Sequence, residues 1–267
     1  MLCADCSLAK KFRVAASHRH GILFSCHPDP ESVNIRAMDE QQLSKNIAKL
    51  LQRVRRSAQK SQYRNSDILV IAASKNQPTA AIRAAHNCGL NDFAESYLQE
   101  ALPKMAELRD LGLVWHFIGP IQSNKTGPIA EQFDWVHSVA REKIARRLSE
   151  QRPPHLPPLR VCLQVNISGE DSKSGTRLEE LPQLASTVLA LPNLKLRGLM
   201  AIPAPGGDEL HQRHAFRQLR EALEALRPLA ADIDTLSMGM SADLETAISE
   251  GATVIRVGTA IFGPRDR

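Results

Sequence analysis

Lys75 has the setting that most favours covalent chemistry in this 267-residue chain. It ends the run Ile68-Leu69-Val70-Ile71-Ala72-Ala73-Ser74-Lys75, which predicts a buried strand with the lysine at its C-terminal end. Partial burial disfavours the ammonium form and lowers the pKa of a lysine, which supplies the free amine that forms a Schiff base with a carbonyl group. The alternative is a solvated lysine at a strand end, and the rest of the chain decides between the two.

Two segments in the last part of the sequence are typical of an anion site. The first, Ser237-Met238-Gly239-Met240-Ser241, leaves a predicted strand and enters a helix. Gly239 permits an unusual turn there, and Ser241 can cap the helix while backbone N–H groups point outward. The second segment, Val257-Gly258-Thr259, leaves the last predicted strand. An ordinary turn with an N-cap explains either segment alone, whereas the pair indicates a phosphate site.

The elements that position these segments alternate between short apolar strands and helices. The predicted strands are 68–73, 92–95, 114–118, 135–138, 161–167, 196–200, 235–238 and 254–257. The predicted helices are 43–56, 78–88, 99–110, 125–132, 141–151, 178–190, 210–226 and 242–250. This order predicts an α/β protein with a single (β/α)8 TIM barrel and an extra N-terminal helix. An open doubly wound sheet is the alternative, but Ser74-Lys75-Asn76-Gln77-Pro78 is not the glycine-rich turn expected after its first strand.

The barrel prediction places the candidate residues at one mouth. Sites in this fold lie at the C-terminal ends of the strands, and phosphate groups bind the loops after strands seven and eight. Lys75 on the first strand would face those loops, which is the layout that pyridoxal 5′-phosphate (PLP) requires. Arg256 could reach the pyridine nitrogen, where it donates a hydrogen bond but cannot accept one. The nitrogen would then stay unprotonated, which weakens the cofactor as an electron sink.

Other predicted strand ends are polar as well. They carry Glu95, Ser96, His116, Ser138 and Asn166. Each of these residues alone is explained by a helix cap or a loop contact, and their recurrence favours a site. We expect His116 to form hydrogen bonds within the barrel mouth.

Five segments carry motifs in a fixed order. They are Ala73-Ser74-Lys75, 115–125 (WHFIGPIQSNK), Gly198-Leu199-Met200, 236–241 (LSMGMS) and 256–263 (RVGTAIFG). In this order they closely resemble the pyridoxal phosphate homeostasis family (YggS/PROSC), and the similarity runs from about Glu40 to the end of the chain.

The resemblance implies a barrel similar to the N-terminal domain of alanine racemase, with PLP held as a Schiff base on Lys75. It implies phosphate contacts from Ser237, Ser241, Gly258 and Thr259, ring packing near Met200, and Arg256 at the ring nitrogen. The full set of implied cofactor-binding residues is Ser96, Met200, Ser237, Met238, Gly239, Ser241, Arg256, Gly258 and Thr259.

The chain departs from the family pattern at two positions. Ser96 stands where the family commonly has an asparagine, so we transfer that asparagine's contact with the cofactor to Ser96. Gln77 stands where the family often has a second lysine, and if that lysine helps transfer, release of the cofactor is slower here.

The function implied by the resemblance is to carry and buffer PLP, to maintain vitamin B6 and amino-acid homeostasis, and to supply apo-PLP enzymes. No catalytic residue is expected, because alanine racemase takes an acid/base tyrosine from a second domain and this sequence ends at Arg267, directly after the last strand unit. Its tyrosines are Tyr63 and Tyr97, and only Tyr97 is expected near the mouth. The alternatives are a weak racemase-like PLP enzyme acting on amino acids and a Schiff-base aldolase acting on a phosphorylated sugar.

Composition disfavours several other classes of protein. The net charge of +5 is diffuse and aromatic residues make up only 4% of the chain, so nucleic-acid binding is not expected. No apolar stretch reaches the roughly 20 residues of a membrane-spanning helix. The five cysteines lack framework spacing and Cys3-x-x-Cys6 has no second pair, so we expect reduced thiols, no metal and a cytoplasmic protein. No heptad repeat argues for a dimer, and we expect a monomer.

Residues 1–38 differ from the rest because they lack sustained periodicity and mix Cys, His, Pro and basic residues. We interpret them as a disordered extension, with Met38 as a possible true start. An organelle transit peptide is the alternative, although Asp5, Asp29 and Glu31 argue against it. Residues 39–267 then form the PLP-binding barrel.

Overall fold

Eight parallel strands pair in chain order and close into a barrel. They are β1 Leu69–Ala73, β2 Asp92–Glu95, β3 Val114–Phe117, β4 Trp135–Val139, β5 Leu159–Gln164, β6 Leu194–Met200, β7 Thr235–Ser237 and β8 Val254–Val257. Closure is made by β8 on β1, where the register runs from Leu69 opposite Val254 to Ala72 opposite Val257. The computed structural model describes residues 40–63, 67–168, 174–203, 208–230 and 232–264. The expectations for residues 1–38 lie outside this part of the chain.

The helices surround the barrel and follow the strands. They are α1 Glu40–Lys60, α2 Thr79–Asn87, α3 Leu98–Glu107, α4 Thr126–Gln132, α5 Glu142–Gln151, α6 Leu181–Leu189, α7 Glu209–Leu226, α8 Leu244–Ser249 and α9 Thr259–Phe262. The predicted extra helix is α1, which buries Leu43, Ile47, Leu50 and Val54 at helical spacing and packs on α8 and α9. The predicted (β/α)8 barrel with an N-terminal helix is confirmed.

The apolar core lies mainly between the strands and the helices. Val70 and Ala72 of β1 belong to this large cluster, whereas Ile71 joins a separate small cluster with Ala94 and Val254. Successive side chains of a strand point to opposite faces, so the small cluster lies inside the barrel beside β1, β2 and β8. The apolar part of the barrel interior therefore lies beside β1, the strand that leads to Lys75.

Three details differ from the predicted elements. β5 begins at Leu159 and ends at Gln164, and Val165 forms only an isolated bridge with Thr176, so the predicted strand 161–167 was too long at its end. Ser241 does not cap α8, because that helix begins only at Leu244. In the described part of the chain, no helix is long and apolar enough to cross a membrane.

Candidate functional site

Lys75 lies two residues beyond β1 at the C-terminal mouth of the barrel and is half-buried. The Ser74 N–H donates to the Ala94 carbonyl at 2.9 Å, which extends the strand pairing by one residue. The Ser74 hydroxyl points away from the interior, toward Glu95. Strand alternation then places Lys75 on the inner face, in phase with Ile71.

An ion cluster holds the backbone on both sides of Lys75. We call Lys104, Glu95 and Glu100 the Lys104 cluster. The Lys104 ammonium donates to Glu95 Oε1 at 2.9 Å, to Glu100 Oε1 at 2.5 Å and to the Ser74 carbonyl at 2.9 Å. The Asn76 N–H donates to Glu100 Oε1, and Asn76 has a left-handed φ of 62°. The cluster thus joins α3 and β2 to the residues before and after Lys75.

Glu95 is fully buried within this cluster. Its Oε1 accepts from Lys104 and, at 2.7 Å, from the Ser74 hydroxyl. Its Oε2 is buried and has no hydrogen-bond partner among the described residues. Burial raises the pKa of Glu95, and hydrogen bonding to Lys104 only partly opposes that shift.

A second polar assembly crosses the barrel interior, and we call its five residues the histidine chain. Arg256 Nη1 lies 2.8 Å from Ser237 Oγ, which lies 2.8 Å from His137 Nδ1. His137 Nε2 lies 2.9 Å from His116 Nδ1, and His116 Nε2 lies 3.0 Å from Asp92 Oδ1. The chain joins β8, β7, β4, β3 and β2, and only Asp92 among its members is partly exposed.

Arg256 is 4% exposed and lies below Lys75, because the register pairs it with Ile71 on the neighbouring strand. Its Nη2 donates to the Ala201 carbonyl at 3.0 Å. Burial lowers the pKa of Arg256 to about 10, with Asp243 opposing the shift. No acidic side chain in the described ranges forms an ion pair with the guanidinium, so a buried positive charge is held by neutral groups.

The predicted anion segments meet at the β7 and β8 side of the mouth. Ser241 Oγ accepts from the Ala260 N–H at 3.2 Å, which joins the loop after β7 to α9. Gly239 has a φ of +95°, and a Cβ there would lie 2.6 Å from Ala247 Cβ, so no other residue fits without movement. A Cβ on Gly258 would lie 3.1 Å from the Ala73 carbonyl oxygen, which places this glycine beside the end of β1.

The remaining predicted contacts occupy different surroundings. Met200 is buried in β6 opposite Ser237, and Ser96 is half-buried after β2. A Cβ on Gly119 would lie 2.0 Å from the Ser96 carbonyl oxygen, so a glycine is required for the close approach of these two loops. Met238 packs in the cluster between strands and helices, and its N–H donates to the Val254 carbonyl rather than outward. Thr259 is exposed at the start of α9.

Three of the predicted polar strand ends turn away from the mouth or lie below it. Glu95 faces α3, and the Ser138 hydroxyl donates to the Gly119 carbonyl at 2.6 Å. His116 is buried inside the barrel below the rim of the mouth, where it bonds His137 and Asp92, so it has the hydrogen-bonding role expected of it.

Sequence reasoning missed His137, Asp92 and Lys104. A signal existed for His137, because it occupies the third position of β4 as His116 does of β3. Period-two alternation places both rings on the same face of neighbouring strands. Nothing comparable marks Lys104, whose partners come from the residue after β1, from β2 and from its own helix.

Comparison with known proteins agrees with this architecture. The family described as "Alanine racemase, N-terminal domain" matches residues 38–266. A pyridoxal phosphate homeostasis protein of Pseudomonas aeruginosa is 61% identical over 224 residues, covering 84% of this chain and 96% of that protein. The chain belongs to the pyridoxal phosphate homeostasis protein family.

Two further relatives match over almost their whole length. The homologue of Escherichia coli K12 is 47% identical over 227 residues, which cover 84% of this chain and 97% of that protein. PipY of Synechococcus elongatus, whose structure was solved with PLP bound, is 36% identical with a TM-score of 0.73. That comparison covers 83% of this chain and all of PipY. The family resemblance drawn from the motifs is thereby confirmed.

Proposed function

We propose that this protein binds PLP as a Schiff base on Lys75, and that it carries and buffers the cofactor to maintain vitamin B6 and amino-acid homeostasis without robust catalysis. The observation that carries the proposal is the placement of Arg256. It is a buried, donor-only side chain on the strand next to β1, below Lys75 in the barrel.

The residues at the mouth fit a phosphorylated pyridine. Arg256 supplies a buried positive charge that is not neutralised by a carboxylate of the described chain. On the anion side, the Gly258 backbone packs closely beside the end of β1, while Ser241 and Thr259 supply hydroxyl groups beside α9. Ser96, Met200, Ser237, Met238 and Gly239 complete the set of residues that we propose surround or support the cofactor.

Arg256 also limits the chemistry that this site performs. Bound PLP supplies an electron sink whose strength depends on protonation of its ring nitrogen. An arginine in contact with that nitrogen donates a hydrogen bond but does not hold a pyridinium, as a carboxylate would. The site therefore favours holding the cofactor over stabilising a carbanion.

The relatives support the same function. The homologues of Pseudomonas aeruginosa and Escherichia coli are named for pyridoxal phosphate homeostasis, and the PipY structure contains PLP. We extend these properties to this chain because the region that matches the family model, residues 38–266, includes Lys75 and Arg256. We further propose residues 39–267 as one PLP-binding domain, a cytoplasmic location, a monomer, and apo-PLP enzymes as recipients.

The racemase-like alternative requires an acid/base side chain near Lys75, and the described residues at the mouth give it little support. Tyr97, the candidate acid/base, is 57% exposed on the loop after β2. His116 is enclosed in the barrel and has both ring nitrogens hydrogen-bonded. Neither side chain is held as a proton donor over Lys75.

Covalent capture of PLP on Lys75 tests the binding. The purified protein is incubated with PLP, reduced with borohydride and mapped by mass spectrometry. We expect the cofactor mass on the peptide containing Lys75, and its loss in Lys75→Ala. Lys143→Ala, at an exposed lysine of α5, is the matched control and should retain the label. Labelling spread over surface lysines, with no dependence on Lys75, would contradict the proposal.

A second measurement separates carrying from catalysis. Protein loaded with PLP is mixed with an apo-PLP enzyme, and recovery of that enzyme's activity is followed. Recovery together with an absence of alanine racemisation is expected. Sustained interconversion of alanine enantiomers that depends on Lys75 would favour the enzyme alternative.

A further inference from the structure

We infer that Ser237, His137, His116 and Asp92 are positioning residues for Arg256. They form one hydrogen-bond chain of fixed direction that holds the guanidinium group at the floor of the mouth. The inference rests on the proposed function, because Arg256 is the residue proposed to meet the cofactor ring.

The chain is continuous from one side of the barrel to the other. Each link between heavy atoms measures 2.8 to 3.0 Å, and both histidines have both ring nitrogens bonded. Ser237, His116 and His137 are fully buried. A network of this kind is stable only when its donors and acceptors alternate without a gap.

The chemistry of the two ends determines the direction. Arg256 can only donate, and an ionised Asp92 can only accept. A neutral histidine has one donor and one acceptor nitrogen. Ser237 must therefore accept from Arg256 and donate to His137 Nδ1. His137 Nε2–H then donates to His116 Nδ1, and His116 Nε2–H donates to Asp92.

The reverse direction needs an additional proton inside the barrel. His137 would have to carry hydrogen on both nitrogens, His116 would have to be cationic, or the Asp92 carboxyl would have to be protonated and donate to His116. Burial lowers the pKa of His137 well below its ordinary value, and the neighbouring His116 and Arg256 oppose a positive charge there. The other ring against His137 is that of Trp135, at a centroid distance of 5.7 Å. Beside Arg256, burial raises the pKa of the Cys162 thiol to about 12, which keeps that group neutral.

This direction has a consequence for Ser237. Its hydroxyl group donates its hydrogen to His137, and one of its lone pairs accepts from Arg256. Ser237 is then unable to donate to a phosphate oxygen while the chain is intact. Its part in the site is to hold Arg256, and donation to the phosphate falls to Ser241 and Thr259.

The chain also explains how Arg256 can be oriented without an acidic partner. Nη1 is held by Ser237 and Nη2 by the Ala201 carbonyl, so two of the five N–H donors of the group are fixed. Because the guanidinium group is planar, these two bonds also fix the direction of its remaining N–H donors. A rigid, oriented donor binds a ligand better than a mobile one, because less side-chain freedom is lost on binding.

The tautomers of the two histidines test the direction in the protein without cofactor. Long-range proton–nitrogen spectra of protein with ¹⁵N-labelled histidine distinguish hydrogen on Nδ1 from hydrogen on Nε2. We expect His116 and His137 as neutral Nε2–H forms, unchanged when PLP is added. Hydrogen on Nδ1 of His137 in either state would overturn the inference, because Ser237 would then be free to donate to the phosphate.

A variant pair tests the positioning role through binding. Pyridoxine 5′-phosphate, which has the ring and phosphate but no aldehyde, is titrated by calorimetry, with inorganic phosphate as the second ligand. His137→Asn breaks the link to His116, and we expect about ten-fold weaker binding of pyridoxine 5′-phosphate, the effect of roughly one buried hydrogen bond. Binding of inorganic phosphate should be unchanged.

The control is His155→Asn, at an exposed histidine before β5, which should bind both ligands as the wild type does. Equal loss of both ligands in His137→Asn, or no loss of either, would overturn the positioning role. If His137→Asn does not fold, the tautomer measurement on the wild type still decides the direction of the chain. Failure of the wild type to bind PLP would instead refute the proposed function and leave the tautomer result standing.

Discussion

The Lys104 cluster and the histidine chain are two buried polar assemblies near the same mouth of the barrel, and they differ in location and in how many of their groups are charged. The cluster lies outside the barrel wall, between β2 and α3, and consists of formal charges in direct contact. The chain lies inside the wall and has charge only at its ends, with a serine and two histidines between them. The Glu100 side chain is 26% exposed, so water still solvates part of the cluster and lowers the desolvation free energy of its ions. Deep in the barrel that cost rises, and neutral hydrogen-bonding groups replace ion pairs.

The two assemblies also act on different parts of the site. The cluster holds backbone groups of Ser74 and Asn76, and thereby the position of the segment that carries Lys75. The chain holds the side chain of Arg256 directly. One therefore determines where the amine is, and the other determines how the guanidinium is oriented.

Removal of the central cation should damage the cluster most. In Lys104→Met, the buried Glu95 loses its charged partner while the Ser74 carbonyl loses a donor. We expect a fall of about 3 kcal/mol in the free energy of unfolding, typical of breaking a buried ion pair from one side. Urea denaturation measures the change.

The double variant Lys104→Met/Glu95→Gln is the control for this prediction. It removes the uncompensated carboxylate together with the cation, so it should be more stable than Lys104→Met alone. Equal stability of the two variants would mean that Glu95 carries no charge that needs compensation. Arg83→Met, at an exposed ion pair with Asp110, should change stability far less.

A smaller loss is expected when the acceptor end of the chain is removed. Asp92→Leu leaves His116 Nε2–H without its partner, which costs about 2 kcal/mol for a buried donor. Asp92→Asn keeps an amide oxygen that can accept the same hydrogen bond and should retain most of the stability. Chemical denaturation of the pair, with tautomers read by NMR, provides the measurement.

The distinction between Asp92→Asn and Asp92→Leu matters for the direction of the chain. If the asparagine variant lost as much stability as the leucine variant, the negative charge rather than the acceptor would be essential. The chain would then depend on a cationic histidine, contrary to the direction assigned above.

The smallest expected effect is on the pH dependence of stability, for which the two assemblies should have opposite signs. The pKa of His137 is lowered by burial, so the unfolded chain binds its proton more tightly. Stability from this residue is present above the unfolded pKa and falls as the pH drops below about 6.5. Relative to His137→Asn, the wild type should lose about 1.2 kcal/mol between pH 6 and pH 5. Urea denaturation at several pH values checks the slope.

Glu95 should show the opposite sign. Its pKa is raised by burial, so its contribution to stability is present at low pH and is lost as the pH rises through its folded value. Glu95→Gln should remove this dependence and leave the slope from His137 unchanged. His155→Asn should follow the wild type throughout, because folding leaves that side chain exposed. If the free energy of unfolding depended on pH in the same way in all three variants, the predicted difference between the two assemblies would be wrong.

Much of the fold follows from local pattern. The strand around Ile71 and the helix around Ile47 are each predicted by the spacing of apolar residues, because a period of two or of 3.6 is a property of the local chain. The end of β5 was misjudged because Val165 and Ile167 continue the apolar pattern after the pairing with β6 has stopped. Strand pairing depends on the neighbour, which local pattern does not include.

The sequence by itself placed Lys75 just after the first strand of a barrel, and Arg256 and Gly258 at the C-terminal end of the last strand. Tertiary structure decided which groups these residues meet. Ser237 bonds His137, which is 100 residues away along the chain, because barrel closure brings β7 across the interior from β4. Alternation assigns a side chain to the inner face, but its partner depends on the register and tilt of all eight strands. For that physical reason the local pattern identified Lys75 as the candidate Schiff-base lysine, while only the closed barrel revealed the chain that holds the arginine.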